Sequence, residues 1–264
     1  MEDDLKFRET SYEEFGQEYR MIMSSNFHKT TSSLLLNNTR REIYQYICRF
    51  PCSHLTGIAR DLKMTPPSIE YHLKKMLKEQ LIGTKRIGKK TVYFPDEMVA
   101  EEDIPLLALI HDRKAKMILC AVLSSPCLMQ KEISRLLALK RQTVRWYIAR
   151  LKEAGLVDIV EDGVCRRYSP TKLLESKSEV YRNRMKEFKD HVINNLIMDG
   201  MNPRIVKNTH NQLIIQIGNG SLDSLLKLVL DPFSVGDFQS MDMYAKVSMP
   251  SAKPKFKDIY HKSS

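Results

Sequence analysis

Residues 39–95 align with residues 114–170 at a constant offset of 75, without a gap. The alignment pairs Ile43 with Ile118, Pro51 with Pro126, Cys52 with Cys127, Ile58 with Ile133 and Arg60 with Arg135. It continues through Leu62 and Leu137, Leu81 and Leu156, Gly88 and Gly163, Tyr93 and Tyr168, and Pro95 and Pro170. Ten identities in 57 positions is a thin score, but they fall on apolar, turn and glycine positions in one register. The chain therefore contains one fold twice, and its 264 residues leave room for a small further unit.

Local patterns say what that fold is. In the first copy a helix begins after the cap candidates Asn37-Asn38-Thr39, carries Ile43 and Ile47, and stops at Pro51. A second short helix follows, with Leu55, Ile58, Ala59 and Leu62 on one face. Thr65 is a natural N-cap and Pro66 a natural first helical residue, so a third helix is predicted to about Gln80, its inward stripe being Ile69, Leu73, Met76 and Leu77. Leu81-Ile82 then opens an extended segment that turns at Gly88 and returns through Thr91-Val92-Tyr93-Phe94. The second copy repeats the order, with helices from about Arg113, Gln130 and Arg141 and a hairpin turning near Asp162-Gly163. Three helices and a hairpin make a winged helix. The expected fold is mainly α with small β-hairpins: two tandem winged-helix domains plus a C-terminal helix and a small α+β segment.

The charge follows the repeats. Twelve Lys and Arg against four Asp and Glu give +8 for residues 39–95, and eleven against five give +6 for residues 114–170. Since the whole chain carries +10, everything outside the repeats sums to −4. A polyanion that binds this chain should bind the repeats, as a nucleic-acid footprint requires.

Two strings carry a family resemblance. MTPPSIEYHLKKMLKEQLI is similar to the recognition-helix segment of bacterial and archaeal winged helix-turn-helix regulators of the ArsR and MarR type, and LKRQTVRWYIARLKEAGLV resembles the same segment, including its Ala154-Gly155-Leu156-Val157 exit into the wing. The resemblance covers roughly residues 37–172, and tandem copies rich in Met and Lys look most like archaeal regulators of this class. It implies double-stranded DNA as partner, with the third helix of each copy in the major groove. It also implies that His72 packs beside the core.

With Ile69 and Leu73 inward, the 100° helical step turns Pro67, Tyr71, Lys74 and Lys75 outward, with Ser68 on the flank and Thr65 at the helix entrance. The matching set is Gln142, Trp146 and Arg150, flanked by Lys140, Arg141, Thr143 and Arg145. Arg141 and Gln142 suit guanine and adenine edges, which makes the second helix the richer reader. Trp146, the sole Trp, could equally be core or surface. Lys85, Arg86, Lys89 and Lys90 in the first hairpin, and Arg166 and Arg167 in the second, suit phosphate or minor-groove contacts.

Other signals are weaker. Gly83 to Lys90 has the glycine and lysine spacing of a phosphate loop, but no Ser or Thr follows the lysine and a strand follows where a helix is needed. The seven histidines form no paired-ligand spacing, so no metal is expected. Cys48/Cys52 and Cys120/Cys127 could sense redox state or bind metal, although Cys52 and Cys127 recur at equivalent helix ends, which a structural role also explains. No catalytic constellation survives, and neither an enzyme nor a cofactor is expected.

The expected organisation is an N-terminal extension over 1–36, winged helix-turn-helix domains over 37–100 and 101–172, a long helix over 173–200, a small α+β segment over 201–242 and a basic tail over 243–264. Within the α+β segment, 204–217 reads as one strand, and 224–230 as a strand or a short helix. No run of about 18 apolar residues occurs, and the acidic start lacks the features of a secretory signal, so no membrane association and a cytoplasmic location are expected. Leu174, Tyr181, Met185, Phe188, Val192 and Leu196 form an apolar stripe that must be covered. It could pack on its own winged helix; a homodimer through this helix is favoured, since relatives of this class often dimerise through terminal helices. Components of the transcription machinery are further possible partners, because winged helices also serve as assembly modules.

Overall fold

The computed structural model describes residues 34–162, 165–217 and 225–233; the N-terminal extension and basic tail lie outside the described residues, apart from Leu34 to Leu36. The chain divides into two compact units, one from residues 34–116 with 172–233, the other from residues 117–171.

Both copies of the repeat have the same elements at the same offset. The first consists of α1 (Asn38–Arg49), β1 (Ser53–His54), α2 (Leu55–Asp61), α3 (Pro66–Lys78), β2 (Ile82–Ile87) and β3 (Lys90–Pro95). After α4 (Ile104–Ile110), the second runs through α5 (Arg113–Ser124), β4 (Leu128–Met129), α6 (Gln130–Leu136), α7 (Arg141–Glu153), β5 (Val157–Asp162) and β6 (Cys165–Pro170). Each copy forms a three-stranded antiparallel sheet with its short strand against the return strand of the hairpin, in the orders β1-β3-β2 and β4-β6-β5. The cores correspond position for position. Ile43, Ile47, Ile58, Ile69, Leu73 and Met76 are fully buried in one copy, as are Ile118, Val122, Ile133, Val144, Ile148 and Leu151 in the other.

The backbone repeats as well. Cys52 and Cys127 have φ of 63° and 68°, and Lys63 and Ala138 have 56° and 50°. Cys52 and Cys127 donate their N–H groups to the carbonyls of Tyr93 and Tyr168, at 2.8 and 2.9 Å, fixing the turn into each sheet. Any non-proline residue could donate these N–H groups, so the bonds fix the turn and not the choice of cysteine. Both recognition-type helices end alike: Gln80 and Gly155 sit at φ 54° and 72°. Their N–H groups reach Leu77 and Lys152, while Leu81 and Leu156 close onto Met76 and Leu151 at 3.0 and 2.8 Å. Glycine is at ease in this left-handed cap and glutamine is not. Gln80→Gly should therefore stabilise the first unit by about 0.5–1 kcal/mol, and Gly155→Gln should destabilise the second by a similar amount, in urea unfolding.

Capping is local and varied. Asn37 Oδ1 accepts from Arg40 N–H at 3.0 Å to start α1. His54 Nδ1 accepts from Gly57 N–H at 2.8 Å to start α2, and Glu132 takes the N–H of Met129 at 2.8 Å in the equivalent place. Thr65 holds the cap position of α3 but makes no side-chain capping bond, contrary to the expectation; Pro66 at the first helical position sets the entry instead.

The first unit also contains α8 (Leu173–Met198) and a second antiparallel sheet, β7 (Arg204–Thr209), β8 (Gln212–Gln216) and β9 (Leu225–Val229). The single strand expected over 204–217 is broken at His210-Asn211, where Thr209 Oγ1 donates to Asn211 Oδ1 at 3.3 Å. Residues 225–229 are a strand, the partner of β8.

The stripe of α8 is used inside this unit. Tyr181, Met185, Phe188, Val192 and Leu196 are buried, with Leu174 at the margin. Tyr181 accepts the N–H of Ala100 at 2.9 Å and meets the Phe233 ring edge-on at 4.8 Å. Arg184 donates to the Met98 carbonyl at 3.1 Å, Lys177 pairs with buried Asp103 at 2.6 Å, and His191 meets Glu97 at 3.0 Å. Of the two covers weighed for this stripe, its own winged-helix unit and a second subunit, the first is present in the fold. His111 lies beside Phe50, and its Nε2 donates to the Pro232 carbonyl at 3.0 Å. Burial pulls its pKa down to about 3, which keeps the ring neutral.

Candidate nucleic-acid interface

On α3 the inward positions Ile69, Leu73 and Met76 leave a solvent face of Thr65, Pro67, Glu70, Tyr71, Lys74 and Lys75, with Ser68 half-buried on the flank. Lys74 pairs with Glu70 at 2.7 Å, one turn back. Lys75 lies 4.5 Å from the Tyr71 ring centre, and its hydrogen bonding and then its charge lower the pKa of the Tyr71 hydroxyl. Glu70 was absent from the sequence expectation, yet it neutralises one of the two outward lysines; its i,i+4 spacing to Lys74 was the available signal.

The equivalent face of α7 is more basic. Val144, Ile148 and Leu151 point inward, while Lys140, Arg141, Gln142, Arg145 and Trp146 are exposed and Thr143 and Arg150 half-buried. Arg145 stands where α3 has Glu70. Trp146 is 54% exposed, which settles the open choice between core and surface. The Arg150 guanidinium sits 4.8 Å from its ring centre. Gln130 of α6 donates to the Arg141 carbonyl at 2.8 Å, tying the first turn of α7 to the preceding helix.

The wings divide differently. Cross-strand partners share a face, so Lys85 lies with buried Val92, and Lys90 with Ile87, on one side of the first hairpin. Lys85 reaches Glu101 at 2.8 Å and Lys90 stands 3.9 Å from Asp112. Arg86, opposite Thr91, occupies the other face with Thr84 and Tyr93. Burial, and then the charge of Glu70, raise the pKa of the Tyr93 hydroxyl on that face. Among the described residues, Arg86 and Lys89 are the exposed cations of this wing that pair with no carboxylate; Arg86 donates to the Gly88 carbonyl at 3.3 Å.

In the second wing Glu161 replaces Arg86 and meets Arg166 across the strands at 3.5 Å, while Arg167 is half-buried and donates to the Cys127 carbonyl at 3.3 Å. The basic wing and the basic helix therefore belong to different copies.

Burial pushes the Cys48 and Cys52 thiols well above their usual range, which disfavours the thiolate that redox sensing or metal binding needs. Among the described residues no group of three His, Cys, Asp or Glu is placed to hold a metal ion. Among them, too, no helix is long and apolar enough to cross a membrane.

Family models match both copies. A model described as an N-terminal HTH domain covers residues 37–104, and one described as winged helix-turn-helix DNA-binding covers residues 111–158. The chain carries two tandem winged helix-turn-helix domains. A protein of Methanocaldococcus jannaschii named as an uncharacterized HTH-type transcriptional regulator is 36% identical over 130 residues, a match that spans 49% of this chain and 32% of that relative. Among solved structures, ScpB from Mycobacterium tuberculosis matches at 12% identity over 53% of this chain and 96% of that chain, with a TM-score of 0.22. Human N-acetylserotonin methyltransferase in complex with SAM matches at 12% identity over 53% and 43%, with a TM-score of 0.23. TM-scores this low say nothing about the tandem domains.

Proposed function

We propose that this chain is a sequence-specific regulator of transcription that binds double-stranded DNA with both domains. In this reading α3 and α7 enter the major groove, and the first wing lies on phosphates or in the minor groove. The observation that carries it is the recurrence of one exposed, cation-bearing helix face at the same place in two copies of a helix-turn-helix fold. A merely solvated face has no reason to keep that arrangement twice. The family description of the second domain as DNA-binding and the name of the archaeal relative support the same reading.

The two copies contribute unequally. The second helix offers Arg141, Gln142, Arg145 and Arg150 without an acidic residue before Glu153, and supplies most of the base reading. The first wing, with Arg86 and Lys89 unpaired by carboxylates among the described residues, supplies affinity that does not depend on sequence.

Fluorescence anisotropy with a labelled duplex across a series of salt concentrations tests this division. Arg86→Ala with Lys89→Ala should weaken all duplexes alike and make the salt slope shallower by about one to two units. Lys85→Ala, whose ammonium already faces Glu101, should leave the slope nearly unchanged. If the double variant weakens one sequence alone, the wing reads bases and the assignment is wrong.

A further inference from the structure

Each recognition helix exposes an aromatic ring that phosphate neutralisation does not require. Tyr71 and Trp146, 75 positions apart, are both 54% exposed. Each carries a cation from four residues on: Lys75 Nζ at 4.5 Å from the Tyr71 ring centre and Arg150 Cζ at 4.8 Å from that of Trp146. Each is edge-on to the next side chain, His72 at 5.1 Å and Tyr147 at 4.7 Å. The residues differ between copies, yet the pairing of ring and cation is kept. The core does not need the rings, because Ile69 and Leu73, and Val144 and Ile148, fill the inward positions.

We infer that each ring–cation pair reads a thymine methyl beside a guanine in the major groove. Thymine is the base that presents a methyl there, and apolar side chains read it by contact; guanine presents O6 and N7, which Arg and Lys read as donors. A cation held against a ring loses less freedom on docking than one on a loose side chain, so the ring also positions the donor. Arg150 offers a planar fork and Lys75 a point charge. The guanine preference is therefore sharper under α7 than under α3. This inference rests on the groove reading proposed above.

The test alters the DNA before the protein. A duplex selected by the full chain is resynthesised with deoxyuridine in place of each thymine in turn, which removes the C5 methyl and leaves base pairing intact. One thymine under each helix should lose about fourfold in affinity, the worth of one buried methyl. Trp146→Ala should bind the thymine duplex more weakly and then be indifferent to deoxyuridine at the position under α7, and Tyr71→Ala should behave likewise at the position under α3. Unchanged affinity at every substituted thymine, as expected if the rings instead dock another protein, overturns the inference. So does a methyl effect that persists undiminished in both variants. A selection that yields no motif overturns this inference together with the proposed function, whereas a motif indifferent to the methyl overturns this inference alone.

Discussion

Replacing Arg141 and Gln142 together by alanine should flatten the base preference of the chain while leaving its fold intact. Both side chains are exposed on the first turn of α7, where a helix in the major groove meets base edges. Neither belongs to the core formed by Val144, Ile148 and Leu151. Arg gives a two-pronged contact to guanine and Gln one to adenine, each worth about 1–3 kcal/mol of discrimination. The double variant should still bind duplex DNA through the remaining cations. Its selected sequences should lose information at two positions and keep it elsewhere. Unchanged preference in the variant removes α7 from the reading role.

Phe188→Ala should cost about 3–5 kcal/mol of stability in the first unit, the usual penalty for truncating a buried aromatic residue. Phe188 is 3% exposed in the middle of the α8 stripe, with Tyr181, Met185 and Val192 buried around it. The loss should appear in chemical unfolding at a size independent of protein concentration, because the stripe is covered by the same chain. A penalty that grows on dilution would instead mean that a second copy supplies the cover.

Much of this fold was legible because the offset of 75 constrained two segments at once. Element bounds, core positions and the special turns at Cys52 and Cys127 all keep that spacing. The short strands β1 and β4 escaped notice in both copies, since two residues show no period. The stripe on α8 was equally plain, but period says only that a face must be covered and not by what. Helix α4, the seven residues IPLLALI, escaped notice because an apolar run that short fits helix or strand alike. In the interface, the outward positions of α3 and α7 followed from the helical step. The charge balance did not: Lys85 and Lys90 are offset by Glu101 and Asp112, which lie 16 and 22 positions further along the chain. Such pairs are set by the fold around the wing, and no local pattern announces them.

Selection of random duplex DNA with the full chain at physiological ionic strength bears most directly on the proposal that both domains read sequence. A recovered motif should have two parts. One should contain guanine and adenine contacts that vanish with Arg141→Ala and Gln142→Ala, and the other a weaker preference that survives those changes. Recovery of no motif, together with binding that only salt modulates, would make the tandem domains a non-reading or assembly module and contradict the proposal.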